Sequence, residues 1–577
     1  MSIQARAAGA VPARAGAADA PADVIIVGSG AAGAMAAHSL TKAGLRCLML
    51  EAGRDYDPKA EVNMFAPESD APLRGASTPD KPFGYFDATV GGGWEVEGEP
   101  YTSRPGSDFR WYRPRMLGGR TNHWGRHSPR WGAYDFKPYS RDKLGVDWPI
   151  GYDDVAPYYD RVERMIGVNG GKLGLENHPD SPDGCLLPPP KPRVTEMMIK
   201  AAAESIGIPV RAAHTAVLTR DMPDDVAPRS ACFNATPCTR GCTIGAMFQT
   251  TTSLLPQASA TGRLRVVTDA MVARVLMGAN GRATGVEYVD RKTGQRHQVS
   301  ARAVVLAAGT GETARLLLNS GTGGRGLANG SGELGRNLTD STGASFSAYI
   351  PKLAGRPRYN EDGIGGQHIY IPFWQYKEQA RGELDFARGY HFEIGGRFDI
   401  PPPATLPRAY GSALRQAVRQ SSGATLRLTL RGEMIPNKDT FCEIDPGVKD
   451  KFGIPVLRFA FKWSQNEVNQ VAHGRRSAHA VFERLGGTIL SPDLPVEQIM
   501  TAGGEIIHEL GTARMGDSPR NSVVNSYGEA WEVPNLVLMD GAVFASGAHK
   551  NPTLTILALA LRNSERLAQR IKTGALA

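Results

Sequence analysis

The stretch DVIIVGSGAAG, residues 23–33, decides the fold of this chain. Its first half is an apolar, β-branched run that predicts a buried strand ending at Gly28. Ala31–Ala43 then has helical composition, and RCLMLE, Arg46–Glu51, predicts a second strand. A strand, a helix and a strand within so short a span predict a βαβ unit with parallel strands.

The glycines of this stretch follow the spacing Gly28-x-Gly30-x-x-Gly33. Gly28 permits a tight turn, Gly30 lets the backbone approach a pyrophosphate, and Gly33 lets the helix pack closely on the strand. The helix N-terminus offers N–H groups and a positive dipole end to phosphates. Glu51, at the end of the second strand, is expected to accept hydrogen bonds from an adenosine ribose. The sequence therefore predicts a dinucleotide site.

The glycine motif alone does not distinguish FAD from NAD, but its context favours FAD. It lies near the start of a long chain, and a later strand ending in glycine, Val304–Gly309, predicts a second approach to the same cofactor.

Length and composition limit the class of protein. A chain of 577 residues is too long for one simple core, so two or more domains are expected. Hydrophobic residues make up 41% and charged residues 21%, which is typical of soluble globular proteins. The net charge of +8 is scattered without a basic run, which argues against a nucleic-acid arm. No apolar run approaches the roughly 18–20 residues of a membrane span.

The first 22 residues are rich in alanine but lack a continuous apolar core and a twin-arginine pair. They are interpreted as a disordered N-terminal extension rather than an export signal. We therefore expect the chain to have no signal peptide of its own. It would be cytoplasmic, or periplasmic if a partner subunit carries it across the membrane.

A second domain is expected in residues 341–498, which mix alternating segments such as Thr425–Arg431 with helical ones such as Gln465–Leu485. The chain is then expected to pass between two domains more than once. The expected FAD-binding parts are 23–145, 215–340 and 500–577, and the expected substrate-binding parts are 146–214 and 341–499.

Five blocks of sequence resemble the glucose–methanol–choline (GMC) oxidoreductase family, and together they span nearly the whole chain. The resemblance implies an α/β FAD-binding Rossmann-like domain joined to an α+β substrate-binding domain, the two-domain architecture also seen in p-hydroxybenzoate hydroxylase. The blocks are VIIVGSGAAG…LEAG near the N-terminus, MLGGRTNHWG at 116–125, VVLAAGTGETARLLLNS at 304–320, HELGTARMG at 508–516 and LVLMDGAVFASGAHKNPTLTILALALR at 536–562.

The resemblance implies that His508 and Asn551 form the catalytic pair. Oxidation of an alcohol requires removal of the hydroxyl proton and transfer of a hydride to the flavin N5 atom. A neutral imidazole suits the first task because its ordinary pKa is near 6.5. An amide can donate a hydrogen bond to the same oxygen and orient it, while the flavin carries the redox step.

The predicted cofactor-binding residues combine the glycine turn with the other matched blocks. They are Gly28, Ser29, Gly30, Ala31, Ala32, Gly33, Glu51, Ala52, Gly118, Gly119, Asn122, His123, Trp124, Val272, Ala308, Gly309, Asp540, Gly541, Asn551, Pro552 and Thr553. In some sugar-oxidising relatives a histidine in the context of His123 is bonded covalently to the flavin. Covalent attachment through His123 is therefore one hypothesis, and packing near the ring is the other.

Three of the six cysteines, Cys232, Cys238 and Cys242, lie in one short segment. Three thiolates can hold one soft metal centre. A closed zinc site would need a fourth ligand, and the nearest histidine, His214, is distant along the chain. The segment resembles that of sugar dehydrogenases carrying a [3Fe–4S] cluster, which would pass electrons from FAD to a partner. Buried thiols or one local disulfide are the alternatives.

Within the family, the chain most resembles bacterial FAD-dependent glucoside 3-dehydrogenases and other sugar dehydrogenase catalytic subunits. This implies oxidation of a sugar or glycoside hydroxyl to a ketone, at C3, with electrons passed to a small partner subunit or a cytochrome. One alternative is an oxidase that uses O2 and produces H2O2 while the cysteines are inert. Another is a flavoprotein that only relays electrons.

Overall fold

The computed structural model describes residues 21–62, 92–222, 228–234, 241–321, 323–356, 367–396 and 406–576. The predicted extension at 1–22 lies outside the described residues except for its last two, and the first strand already begins at Ala22. Within the described ranges no helix is both long and apolar enough to cross a bilayer.

The strands of the described residues are β1 Ala22–Val27, β2 Cys47–Leu50, β3 Thr102–Ser103, β4 Arg211–Ala212, β5 Leu264–Val267, β6 Ala270–Met277, β7 Ala283–Asp290, β8 Arg296–Leu306, β9 Thr342–Tyr349, β10 Ile369–Ile371, β11 Tyr390–Gly395, β12 Thr425–Gly432, β13 Phe441–Lys449, β14 Pro455–Ala460, β15 Thr488–Ile489 and β16 Leu536–Leu538. The helices are α1 Ala31–Lys42, α2 Pro58–Glu61, α3 Ala133–Phe136, α4 Pro138–Asp142, α5 Tyr152–Ile166, α6 Val194–Glu204, α7 Leu254–Ala260, α8 Thr310–Leu318, α9 Tyr376–Ala380, α10 Gly411–Ser421, α11 Gln465–Arg484, α12 Val496–Ile499 and α13 Thr553–Lys572.

The predicted βαβ unit lies at the centre of the first sheet. Its parallel strands follow the order β5-β2-β1-β8-β16. The N-terminal half of the long strand β8 leaves this arrangement and pairs antiparallel with β7, which pairs with β6. Helices α1, α7 and α13 pack together beside the parallel strands. The C-terminal parts of both central strands, 24–27 in β1 and 303–306 in β8, are buried on both faces, which explains their continuous apolar sequence.

The second sheet is antiparallel and has the order β15-β9-β12-β11-β10-β4. Helix α11 packs on one face of this sheet through β9 and β12. The apolar side chains of that face, with Val471, Val481 and Phe482 of the helix, form a second hydrophobic core. A further sheet, β13-β14-β3, lies outside these two.

The two main sheets distribute the chain much as the two-domain architecture requires. The first sheet uses strands from both ends of the chain, and the second uses β4 together with strands between 342 and 489. Helix α5 lies in a segment expected to belong to the substrate-binding part, yet Val155, Tyr159 and Val162 pack in the core of the first sheet. The domain boundaries themselves remain predictions.

Candidate active site

The glycine turn lies at the carboxyl ends of the parallel strands. Gly28 follows β1, Gly309 follows the neighbouring β8 and Asp540 follows β16, so these three turns meet at one edge of the sheet. The strand order changes direction here, because β1 has β2 on one side and β8 on the other, which is where open α/β sheets bind ligands. A cleft with about 1490 Å³ of empty volume, part of it open to solvent, occupies this edge.

The three glycines of the motif differ in what surrounds them. A Cβ atom on Gly28, whose φ is +96°, would lie 2.4 Å from the Ala307 carbonyl oxygen. A Cβ on Gly33 would lie 2.0 Å from the Gly28 carbonyl oxygen. A Cβ on Gly30 would meet no described atom within 4 Å, although Gly30 lines the cleft. Gly28 and Gly33 are therefore needed by the fold, whereas Gly30 leaves room for a ligand, which fits a pyrophosphate.

Glu51 lies where the ribose partner was expected, and it also holds the loop together. Its Oε2 atom accepts hydrogen bonds from the Ser29 backbone N–H at 3.0 Å and the Ser29 hydroxyl at 2.5 Å. Its Oε1 atom accepts a hydrogen bond from Gly53 N–H at 2.7 Å. The carboxylate thereby fixes the turn between β1 and α1 before any ribose is bound.

Most of the predicted cofactor residues line this one cleft, together with His508. Those that line it are Gly28, Ser29, Gly30, Ala31, Ala32, Glu51, Ala52, Gly119, Trp124, Val272, Ala308, Gly309, Asp540, Gly541, Pro552 and Thr553. Those that do not are Gly33, Gly118, Asn122, His123 and Asn551. Their part in binding FAD remains a prediction residue by residue, but the cleft brings together segments far apart in the sequence.

His123 lies beside the cleft rather than in its wall. Its imidazole is buried, with 4% exposed, and packs edge-on against the ring of Tyr112 at 5.3 Å between centroids. The neighbouring Trp124 does line the cleft. Both roles expected for His123, packing near the ring and covalent attachment, stay predictions.

His508 and Asn551 meet as the sequence predicts. The Asn551 Nδ2 atom lies 3.3 Å from the His508 Nε2 atom. The His508 Nδ1 atom lies 3.0 Å from the Ser341 hydroxyl oxygen, and the His508 backbone N–H donates to Asp340 Oδ1 at 2.9 Å. If the amide donates to Nε2, the imidazole proton is on Nδ1 and points to Ser341. The Nε2 lone pair then faces Asn551, which suits it to accept a proton.

The surroundings of His508 keep its imidazole neutral. Burial is the main cause that lowers its pKa to about 3, and the positive charge of Arg431 acts in the same direction. Asp340, which holds the backbone of His508, has its pKa raised to about 7, first by burial and then by the charge of Glu509. The imidazole of His508 is therefore unprotonated over the whole neutral range.

The backbone just before His508 is strained. Ile507 has a φ of +64°, a left-handed conformation that is costly for a β-branched residue. Hydrogen bonds from Ile506 and His508 to the carboxylate of Asp340 hold the turn in place. The strain is retained where it positions the imidazole.

A polar face of the second sheet lies next to His508, the predicted catalytic histidine. His391 and Glu393 alternate on β11 and share a face, and Arg431 on β12 lies directly opposite His391. Tyr370 on β10 lies opposite Glu393. The Arg431 Nη2 atom is 3.2 Å from Glu393 Oε2. These groups give the site charged and hydrogen-bonding walls suited to a polar substrate.

Sequence reasoning did not identify this polar face, nor His127, Asp340 and Ser341. A signal for part of it exists in YHFEI, residues 390–394, where apolar and polar residues alternate. Such alternation predicts a strand with one face in the core and the other at a polar surface or site. Asp340 and Ser341 carry no comparable pattern.

The cysteine segment is only partly described. Cys242 is buried and Cys232 is half-buried in the first core, while Cys238 lies outside the described residues. The chain runs from Cys242 to Thr250, whose hydroxyl donates to the Ser29 carbonyl oxygen at 3.3 Å. The segment is thus linked to the glycine turn through a short stretch of chain.

Comparison with known proteins agrees with this geometry. Residues 22–342 match the N-terminal part of the GMC oxidoreductase family, and residues 436–560 match its C-terminal part. The 2-methyl-1,2-propanediol dehydrogenase of Mycolicibacterium austroafricanum is 29% identical, over 95% of each chain. The fructose dehydrogenase large subunit of Gluconobacter japonicus is 26% identical, over 96% of this chain and 99% of its own.

Among solved structures, a formate oxidase variant of Aspergillus oryzae has the same fold. It superposes with a TM-score of 0.63 at 15% identity, over 96% of this chain and 99% of its own. The family matches cover more than half of the chain, and the cleft and its glycine turn fit the FAD that the family uses. The chain therefore belongs to the GMC oxidoreductase family of FAD-dependent enzymes that oxidise hydroxyl groups.

Proposed function

We propose that this enzyme is a dehydrogenase that oxidises a ring hydroxyl of a sugar or glycoside to a ketone, with C3 as the expected position. The observation that carries the proposal is the contact of 3.3 Å between Asn551 Nδ2 and His508 Nε2 beside the cleft that the glycine turn lines. FAD bound in that cleft would supply the acceptor for the hydride. Side chains of this protein would remove the hydroxyl proton and position the substrate.

His508 acts as the base in this proposal. A substrate hydroxyl placed between His508 Nε2 and Asn551 Nδ2 would lose its proton to the imidazole and keep a hydrogen bond from the amide. The Ser341 hydroxyl oxygen, 3.0 Å from Nδ1, can accept a hydrogen bond from the Nδ1 N–H and so hold the ring as it becomes positively charged. The buried Asn551 Oδ1 atom, which bonds to no described residue, can accept from a neighbouring substrate hydroxyl.

The polar face of the second sheet supports a polyhydroxy substrate. Glu393 offers carboxylate oxygens, Arg431 offers N–H donors, and His391 has an unpaired Nε2 atom among the described residues. A small aliphatic diol could use only one or two of these groups, whereas a sugar ring carries hydroxyls all round. A site that leaves buried polar groups unpaired discriminates strongly against a substrate lacking the matching hydroxyls.

We further propose that electrons leave through an iron–sulfur cluster held by Cys232, Cys238 and Cys242 to a small partner subunit or a cytochrome. The support is the spacing of the three cysteines and the short stretch of chain between Cys242 and the turn that contacts Ser29. Such a cluster would make the cysteine segment the exit for electrons. It also distinguishes this proposal from an oxidase that delivers electrons to O2.

The test is anaerobic bleaching of the flavin absorbance by a panel of glucosides, free sugars and 2-methyl-1,2-propanediol. The proposal predicts rapid bleaching by at least one sugar or glycoside and slow bleaching by the small diol. NMR of the product then identifies the oxidised carbon. Rapid bleaching by the diol alone would contradict a sugar substrate.

The electron acceptor needs a separate measurement. In air, with an active substrate, a dehydrogenase should turn over slowly and form little H2O2, and an artificial one-electron acceptor should restore turnover. Peroxide formed in equal amount to the product would replace the dehydrogenase proposal with the oxidase.

A further inference from the structure

Next to the predicted catalytic pair, two buried histidines and the half-buried Glu393 bring their ligand atoms close together, and both histidines have ring nitrogens without a hydrogen-bond partner among the described residues. We propose that His127, His391 and Glu393 bind a divalent transition-metal ion, with zinc as the best fit. One nitrogen of each histidine and one carboxylate oxygen lie within 4.8 Å of one another. This inference rests on the proposed function and deepens it: with the ion bound, a substrate hydroxyl would reach the open position of the ion instead of His391 Nε2.

The hydrogen bond of His391 decides what its other nitrogen can do. Its Nδ1 atom lies 2.5 Å from the His549 carbonyl oxygen, which can only accept, so Nδ1 carries a proton. Its Nε2 atom faces Glu393 Oε1 at 3.9 Å. That distance is too long for a direct hydrogen bond. An ion between the two atoms would have both as ligands.

His127 supplies a second unsatisfied imidazole. Its side chain is 3% exposed, and neither ring nitrogen has a hydrogen bond of good geometry to a described residue; the side chain of Asn551 makes only a weak contact with the ring. The ring packs edge-on against those of His391 and Tyr370, with centroids 5.4 Å and 5.3 Å away. A buried polar group without a partner costs about 1–3 kcal/mol. Such groups commonly mark an ion or water.

The outer contacts resemble those around metal ligands in general. A ligating histidine usually donates its second N–H to a carbonyl or carboxylate, as His391 does to His549. A ligating carboxylate is itself hydrogen-bonded, as Glu393 Oε2 is to Arg431 at 3.2 Å. Zinc bonds of about 2.0–2.1 Å would bring the three ligand atoms to roughly 3.4 Å from one another. The ligand atoms would have to move closer by at most about 1.4 Å from their separations of up to 4.8 Å.

Two other clusters among the described residues lack this property. In the cluster of Asp135, Glu433 and His549, the carboxylates are already paired with Lys550 and Arg388. In the cluster of Asp160, Glu163 and Cys185, both carboxylates bind Arg130. Glu393 is likewise paired with Arg431, so charge alone does not separate the three clusters. The cluster of His127, His391 and Glu393 differs because only it contains imidazole nitrogens without a hydrogen-bond partner among the described residues.

The site would join two parts of the active site. His127 lies in the loop that follows Trp124 of the cleft, and His391 and Glu393 lie on β11 of the second sheet. Asn551 lies beside His127, and His549, which orients His391, precedes Asn551 by two positions. Three protein ligands leave a fourth position for water or a hydroxyl oxygen, as in zinc sites that are not closed.

The test measures bound metal directly. The FAD-loaded full-length protein is dialysed against a chelator, titrated with Zn²⁺ by calorimetry, and analysed for zinc after gel filtration. We expect one equivalent in the wild type and binding weaker by on the order of 100-fold or more in His127→Gln and Glu393→Gln, since even outer contacts are worth 10- to 100-fold. The half-exposed His297, stacked on Tyr288, provides the control His297→Gln, which should bind as the wild type does.

The cysteine segment could bind zinc too, so the variant Cys232→Ser/Cys242→Ser is titrated in parallel. The proposal predicts that this double variant still binds the one equivalent of zinc that His127→Gln fails to bind. Far-UV circular dichroism and flavin content verify that each variant is folded, and anomalous diffraction at the zinc edge locates the ion. Less than 0.2 equivalents of zinc in the wild type would overturn the proposal. The proposal would also be overturned if His127→Gln and Glu393→Gln bound zinc as tightly as the wild type does. An anomalous peak at the cysteines alone would overturn it too.

Discussion

Replacing Gly30 with alanine should impair FAD binding without harming the fold. The backbone at Gly30 has φ −64° and ψ −164°, which any residue adopts, and a Cβ there meets no described atom within 4 Å. Gly30 is the N-cap of α1, where alanine costs about 0.5–1 kcal/mol relative to a better cap. The lower entropy of the unfolded chain returns about 0.4–1 kcal/mol. The apoprotein should therefore keep its free energy of unfolding within about 0.5 kcal/mol.

The loss of FAD-binding free energy in Gly30→Ala should be larger than the change in stability, because the new methyl group occupies the cleft. If it displaces the pyrophosphate from one charge-assisted backbone hydrogen bond, about 1.5–3 kcal/mol is lost. This corresponds to a dissociation constant raised about 10- to 150-fold. Flavin fluorescence titration of the apoprotein measures this constant, and urea unfolding measures the stability.

Gly33→Ala is the matched contrast to Gly30→Ala. Its Cβ would lie 2.0 Å from the Gly28 carbonyl oxygen, so we expect the fold itself to lose about 3 kcal/mol or more. FAD affinity unchanged in Gly30→Ala, or apoprotein stability lowered in Gly30→Ala as much as in Gly33→Ala, would refute the assignment of Gly30 to the phosphate site.

Further predictions concern the other parts of the site. Asn551→Ala should slow flavin reduction by about 10- to 100-fold at unchanged FAD content, since one hydrogen bond worth about 1.5–3 kcal/mol is lost; an unchanged rate would contradict the role of the amide. Burial lowers the pKa of His127 to about 3, so the unfolded chain binds more protons below pH 6.5. Stability should therefore fall by about 1 kcal/mol between pH 6.5 and 5.5 from this residue alone, and urea unfolding of His127→Gln should show a correspondingly flatter pH dependence. Cys232→Ser should reduce the iron content of anaerobically purified protein while FAD remains; iron absent from the wild type would exclude the cluster. Acid precipitation should release the flavin into the supernatant, whereas flavin in the pellet would show covalent attachment, with His123 as the residue to examine.

The local parts of the fold could be predicted because their signals are local. The apolar run before Gly28 and the spacing of the three glycines specify β1, the turn and α1 almost to the residue. The match of His508 and Asn551 to family blocks placed two distant residues in one site, and the structure brings their side chains together.

The rest depended on contacts that no local pattern contains. Arg431 meets Glu393 because β12 pairs with β11 in one register, and nothing in either strand alone specifies that register. No motif in the sequence singles out His127, and it packs against Tyr370 and His391 of the second sheet. Helix α5 has an amphipathic sequence, which reveals a buried face but not which sheet it faces.

The most direct test of the account is the rate of flavin reduction in His508→Ala under anaerobic conditions, with the sugar that bleaches the wild type. A positioned base contributes about 10²- to 10⁴-fold, so the account predicts a rate lower by at least about 100-fold, with the FAD content and the visible spectrum of the oxidised enzyme unchanged. Reduction of the flavin in His508→Ala at the wild-type rate would contradict it.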